Sequence, residues 1–558
     1  MRKILFIAGI SLLTIAVFAQ QIGIDNDEGW GRKRIIILMT GLAFILVGLL
    51  IFAFQSKLAK LENYLTKFKN ENLSYSRAAQ FAFFSCAAAI IVFIIYVWLT
   101  QPIIKDSRGN YNYYSELAGG FKNGHLYLDE KPSPALLALS NPYDYFLRKE
   151  QNVEDFPWDV SLYNNRFYTY WGPAPSLILT IFTDSQLSRI GDHHLSLAFA
   201  YGLFLYTLLI IANFWQKSLQ NAPAWMFGVL MLTIGLSAPV TIMLRDSRIY
   251  EAAIFGSQFF FIGGCYWAYS AINNNKFSVW KLAFASIHWA FALGTRVTIL
   301  PAVFFSVLVT ITYIFIALKP IVPKTFISML AIMGIPLLLA LCGMGWYNWA
   351  RFESIFEFGL KYQLTNVDYS VFRNSFSVQY MARNLYNYFA YPLTALPKFP
   401  YISRTEFLAS NDRLAGLIFI SPYIFLLFTP LIRVFANPQP VKNLFTARRI
   451  QVNPQNWLSF VFAGSTLIAT IIILSFYFVT MRYMEDFMPS LLLLTTILIG
   501  QEYLFLSRNA IARKTLTFII IVTASITITA SILVAIPKSE AVFMINLINS
   551  ISKTLGLK

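Results

Sequence analysis

The chain has 558 residues, of which 57% are hydrophobic and only 13% charged; its mean hydropathy is +0.57 and its formal net charge +17. This composition excludes a soluble globular domain, because apolar runs of about 17–24 residues recur along it, each able to cross a hydrocarbon core of roughly 30 Å as a helix. The positive charge is not that of a nucleic-acid binder: Lys and Arg gather in short loops between apolar runs, as positive-inside topology and anionic head groups require.

Lipid offers backbone groups no hydrogen bonds, so helices are the default spanning structure, and the alternating ten-residue strands of a membrane barrel are absent. The sequence predicts an all-α, polytopic membrane protein with about thirteen spans. They fall near 4–20, 35–54, 80–100, 196–214, 223–243, 251–272, 281–296, 298–317, 325–345, 414–434, 457–480, 487–505 and 515–536. The first can be a cleaved signal or a retained anchor. The run at 172–183 is short and opens with Pro173 and Pro175, which reads as an interfacial or re-entrant helix. Residues 1–79 form a two-helix extension, 80–505 a core and 506–558 a final helix and tail.

Lys57, Lys60, Lys67, Lys69 and Arg77 put the loop at 55–79 in the cytoplasm, and Lys276, Lys281, Lys319, Lys324, Arg448, Arg449, Arg508, Arg513 and Lys514 mark later cytoplasmic loops. Segments 101–194, 244–251, 346–413 and 481–486 then fall outside, so four polar, aromatic-rich segments share one face. No inverted repeat is visible, which counts against a transporter.

Asp106 follows the span at 80–100 and precedes the aromatic run YNYY. It can take a proton from an acceptor hydroxyl, or simply cap a helix. Asp129, Glu130 and Asp159 are further carboxylates of the same segment, whereas Asp144 in NPYD reads as a turn residue. The run RDSRIYE carries Arg245, Asp246, Arg248 and Glu251 between two spans. Glu251 stands at the membrane boundary, where an unpaired charge is costly, so it is either paired structurally or a site carboxylate. Arg296 in LGTRVTILP either snorkels or meets a lipid phosphate. WYNWARFESIFEFGLKYQL sets Arg351, Glu353, Glu357 and Lys361 among rings that suit an interfacial belt or a sugar. Arg482 in MRYMEDFMP has a planar fork suited to a phosphate oxygen, unless Glu485 or Asp486 consumes it. Asp25-Asn26-Asp27 reads as a solvated turn, His288 as a core histidine, and Cys86, Cys265 and Cys342 as packing residues. His193 and His194 have no spacing that specifies a metal.

The order of these parts resembles the GT-C superfamily of integral membrane glycosyltransferases, in particular the bacterial branch similar to protein-O-mannosyltransferases. The resemblance covers about residues 80–505. It runs from DSRGNYNYYSELAGGFKNG through YWGPAPSL, IYEAAIFG, LGTRVTILP and WYNWARFESIFEFG to RYMEDFMP. It implies a sugar donor on a polyprenyl phosphate and a non-cytoplasmic acceptor that is a glycolipid, polysaccharide or protein. It also implies a catalytic base at Asp106, although Ser107 stands where many relatives have a second acid. Arg482, helped by Arg296 or Arg351, is then expected at the departing phosphate, and Asp129, Asp159, Asp246, Glu251 and Glu357 among the substrate-binding groups. A divalent metal could share the charge, but no ligand set demands one. The competing expectation is a lipid-linked sugar flippase or exporter, or a polyprenyl-lipid-binding protein without catalysis.

Overall fold

A computed structural model describes residues 71–100, 112–317, 323–431 and 453–536, except 154, 221, 274–277, 373 and 408–411, with a few isolated positions nearer the N-terminus. Among these, seven helices are long and apolar enough to cross a membrane: Arg77–Leu99, Asp192–Ser218, Val297–Ala317, Phe326–Phe352, Pro454–Ser475, Met488–Phe505 and Ala510–Ala535. The protein is therefore a helical membrane protein by length and composition.

The helices used below are α1 (Glu71–Leu99), α2 (Tyr113–Lys122), α3 (Ala174–Leu179), α4 (Asp192–Ser218), α5 (Ala224–Gly235), α6 (Val240–Arg245), α7 (Ile249–Ile272) and α8 (Val279–Thr295). They continue with α9 (Leu300–Ala317), α10 (Pro323–Phe352), α11 (Met381–Phe389), α12 (Pro454–Ser475), α13 (Met488–Phe505) and α14 (Ala510–Ala535).

The difference from thirteen spans has identifiable causes. The runs at 4–20 and 35–54 lie outside the described residues. The run at 223–243 is not one helix: it stops at Gly235 and resumes as α6 at Val240. Pro239 has no N–H to donate and biases Ala238 away from helical geometry. The run at 414–434 also fails as a span, giving a short turn at Leu417–Ile420 and a 3-10 stretch at Pro422–Phe428, with Pro422 at the break. The run at 281–296 becomes the 17-residue α8. The run at 251–272 becomes the 24-residue α7, long enough to cross but made less apolar by Glu251, Ser257 and Gln258.

Helix α7 is the axis of the main core, packed against α4, α8, α12 and α13. Its approach to α8 depends on Gly264, where a Cβ would stand 2.4 Å from the Trp289 indole nitrogen. Small residues at such contacts replace the hydrophobic driving force that lipid removes.

The expectation of an all-α chain needs correction at its polar end. β1 (Ser161–Tyr163) and β2 (Arg166–Tyr168) form an antiparallel hairpin, and β3 (Leu393–Ala395), β4 (Ile402–Phe407) and β5 (Asp412–Leu414) form a three-stranded antiparallel sheet. Residues 346–352, expected in a loop, are the last two turns of α10.

The segment after α1 builds a second core of its own. Tyr114, Leu117, Leu128, Val160 and Phe167 close on Ile249, Ala252 and Ala253 at the start of α7, and on Leu364. Asp159 N–H donates to the Leu364 carbonyl (3.1 Å) and Leu364 N–H to that of Val160 (2.8 Å). Buried Arg148 bridges the same two segments by donating to the carbonyls of Pro142 and Thr365, each at 2.6 Å. Helix α2 is held by a distant residue: the buried Asp192 carboxylate accepts from the N–H groups of Tyr113 (3.2 Å) and Tyr114 (3.3 Å). Four donors at a helix start need acceptors, and the negative charge favours the dipole there.

Candidate functional site

The four polar segments expected on one face do meet. Arg404 of β4 pairs with Asp246 at 3.3 Å, and the Tyr250 hydroxyl donates to Asp159. Thr480 donates to Asp412, and Arg482 lies over the Tyr250 ring at 4.4 Å.

The centre of this meeting is the 3-10 turn Met481–Asp486 between α12 and α13. With three residues per turn, positions i and i+3 eclipse. Tyr483 and Asp486 thus share a side, and Arg296, at the end of α8, engages both. Its guanidinium donates to Asp486 at 2.7 Å and stands 5.5 Å from the Tyr483 ring. The Asp486 carbonyl accepts from Gln258 of α7 at 3.0 Å, which ties the turn to the core axis. Burial pushes the Asp486 carboxyl up, and the Arg296 charge and hydrogen bond draw it back.

Arg482 is treated differently. It forms no ion pair within 4 Å among the described residues, and its buried Nε has no hydrogen-bond partner. Two rings flank it, Tyr250 and Tyr483, the second at 5.6 Å. The alternative in which Glu485 or Asp486 consumes Arg482 is thus set aside: Asp486 takes Arg296, and Glu485 contacts neither arginine. Tyr170 and Asp159 border the same place; burial, with the Asp159 charge, pushes the Tyr170 phenol up. Asp159 is buried at a positive φ of 61°, a geometry that short polar side chains tolerate best.

The other candidates are placed as follows. Asp106 lies outside the described residues. The chain re-enters at α2, and Tyr113 contacts Trp171 (5.4 Å), which contacts Tyr250 (5.4 Å), so this end of the segment stands two ring contacts from the Arg482 platform. Glu251 accepts from its own helix start at Arg248 N–H (3.0 Å) and lies within electrostatic reach of Arg482.

Four candidates are used elsewhere. Arg351 is buried on α10 and committed to the Thr169 carbonyl (2.6 Å), the Tyr347 carbonyl (3.1 Å) and Asn348 (3.0 Å). It is a structural anchor, not a helper of Arg482. Glu357 closes a turn by accepting from Gly359 N–H at 2.7 Å. Asp129 is exposed and meets His125 at 3.1 Å, and Asp246 is spent on Arg404. His288 bonds the Tyr206 hydroxyl (2.8 Å) and the Phe284 carbonyl (2.8 Å), and Asp144 caps the helix at Tyr145–Glu150.

Among the described residues, no group of three or more His, Cys, Asp or Glu side chains could hold a metal ion. Sequence reasoning missed Tyr250 and Tyr483 as arginine platforms, Gln258 as the tie to the turn, and Asp192 as a cap. Tyr250 and Tyr483 each adjoin a residue it did single out; Asp192 was hidden beside His193 and His194. Compared with protein-family models, curated proteins and solved structures, the chain gives no match.

The arrangement offers a half-buried, uncommitted guanidinium on an aromatic floor, beside a second arginine locked in place, with carboxylates on the bordering segments. An anion with planar oxygens suits such a fork.

Proposed function

We propose that this protein is a multi-pass membrane glycosyltransferase of GT-C type. It moves a sugar from a polyprenyl-phosphate donor to an acceptor hydroxyl on the non-cytoplasmic face of the plasma (inner) membrane, its N-terminus cytoplasmic. One observation carries the reading: segments far apart in sequence converge on Arg482, which, of the two central arginines, is the one without a carboxylate partner among the described residues. Arg482 binds the donor phosphate with two parallel N–H groups. Arg296, through Asp486 and Tyr483, fixes the turn that presents Arg482. Asp106, carried by the segment leading into Tyr113, takes the acceptor proton.

The step is inverting. The acceptor oxygen bonds to the anomeric carbon, the carbon–oxygen bond to phosphate breaks, and its electron pair leaves on the phosphate, where Arg482 stabilises it. Removing one such group costs about 10²–10³ in rate. The test is transfer by purified protein in detergent from short-chain polyprenyl-phosphate sugars to water-soluble hydroxyl acceptors, with Arg482→Ala as control. Absence of transfer over a panel of hexose and pentose donors, with donor binding retained, would replace catalysis by lipid carriage. That second reading, a lipid-linked sugar flippase or exporter, is favoured by the break between α5 and α6, since broken helices mark transport pathways.

A further inference from the structure

Glu485 belongs to the same turn as Arg482 and Asp486, yet it is bonded to neither Arg482 nor Arg296. It lines a cavity with room for about one water molecule, between α1, α4, the break that separates α5 from α6, and the start of α13. Its side chain is 1% exposed, and neither carboxylate oxygen has a hydrogen-bond partner.

The groups that surround it decide what it can bind. Helix α1 contributes Tyr96, whose hydroxyl is spent on the Gly235 carbonyl at 2.7 Å. From α4 comes the Thr207 hydroxyl, and from the break Ser237, which is bonded to Ser421 at 2.7 Å. The start of α13 offers Met488, Pro489 and Leu492 and no charge. On its own turn, Asp486 is paired with Arg296, and Arg482 lies over Tyr250. Among the described residues, no cation pairs with Glu485. A sodium or calcium ion needs several oxygen ligands, and this cavity supplies one carboxyl among mainly apolar walls. An ionised carboxylate here would carry the full desolvation cost, so the carboxyl must hold a proton or unfold its surroundings.

We propose that Glu485 is a reversible proton-binding site, facing the break between α5 and α6 and separate from the anion-binding arginine. Burial and the Asp486 charge both push its carboxyl well above the usual carboxylate range. The break leaves the site room for a proton carrier: residues 236–239 are not helical but are buried, and the cavity between them and the carboxyl holds about one water molecule. The inference does not depend on sugar transfer.

The experiment is difference infrared spectroscopy of the full chain in lipid, with glutamate ¹³C-labelled so that its carbonyl stretch is told from that of aspartate. A protonated-glutamate band is expected at pH 7, absent in Glu485→Gln and fading as pH rises while the protein stays folded. Asp486→Asn removes a neighbouring negative charge and frees Arg296, so the band should fade at lower pH than in the parent. Three outcomes overturn the proposal: no labelled band at pH 7, a band erased by adding sodium chloride at constant pH, or a band that survives until unfolding. Should Glu485→Gln not fold, Glu485→Asp decides by taking this one carboxyl out of the labelled set: a labelled band that Glu485→Asp leaves unchanged belongs to another buried glutamate, Glu251 or Glu502, and overturns the proposal.

Discussion

Arg296→Met tests whether the Arg296–Asp486 pair locks the turn. The substitution keeps an apolar stem of similar length and removes the charge. Asp486 is 8% exposed and Arg296 18%, with 2.7 Å between them, so this is a largely buried pair. Breaking such a pair on one side costs about 3–5 kcal/mol. A ceiling applies, because the orphaned carboxyl can take up a proton instead. At pH 7, for a group of ordinary affinity near 3.9, that costs roughly 4 kcal/mol, and less as burial raises its affinity. We therefore expect a loss of about 2–4 kcal/mol for Arg296→Met. Asp486→Asn should lose about 1–2 kcal/mol, since the arginine keeps Tyr483 and some solvent. The double variant should lose little more than Asp486→Asn alone, a coupling of about 2 kcal/mol.

The pH dependence has a definite sign. In Arg296→Met the folded-state affinity of Asp486 for a proton exceeds that of the unfolded chain. The folded protein then binds more protons between the two values, and its stability falls as pH rises from the unfolded value near 3.9 to the raised folded one. Acidifying from pH 7 to 5 should restore part of the loss in this variant. Unfolding in mixed micelles, followed by tryptophan fluorescence over a denaturing-detergent series, reads both effects. A coupling under about 0.5 kcal/mol, the range of an exposed pair, would refute the reasoning.

Arg482→Lys keeps a charge but loses the fork, so donor affinity should drop at least about tenfold with unchanged unfolding, as donor titrations would report. Arg351→Lys should destabilise by about 2–3 kcal/mol, because an ammonium cannot serve the Thr169 carbonyl, Asn348 and the Tyr347 ring together, and the same micelle assay measures it. Gly172→Ala puts a Cβ 2.2 Å from the Gly294 carbonyl oxygen and 2.7 Å from that of Thr295. Backbone must move there, so a loss of about 3 kcal/mol is expected. Because Thr295 precedes Arg296, donor binding should weaken as well; intact binding in a stable Gly172→Ala protein would contradict the close approach.

Helix periodicity and length carried most of the fold, and their failures are local. A run such as 223–243 is apolar from end to end, and a hydropathy reading passes over Pro239, although a proline with no N–H and a constrained predecessor is itself the stop signal. The strands of the polar end are three to six residues long and irregular in pattern, too short for a period of two to be distinguished. In the site, residue types were legible but partners were not. Arg351 among aromatics looks like a sugar clamp in sequence, and only the tertiary position of the Thr169 carbonyl commits it to structure. Asp246 and Glu357 are likewise consumed by contacts that a linear reading cannot see.

The two central arginines illustrate what decides between equal-looking candidates. Arg482 is four residues from Asp486 in sequence, while Arg296 is 190 away, so proximity along the chain favours the wrong pair. In a 3-10 turn, however, the eclipsed partner of Asp486 is Tyr483, and Arg482 projects from another side of the turn. The end of α8 brings Arg296 to the Asp486 side, and the start of α7 brings Tyr250 to the Arg482 side. An aromatic face attracts a guanidinium without satisfying its N–H groups, whereas a carboxylate satisfies them. Among the described residues Arg482 is therefore held in place without an ion pair and with its Nε–H unspent, the state that the proposed anion site requires before its ligand arrives.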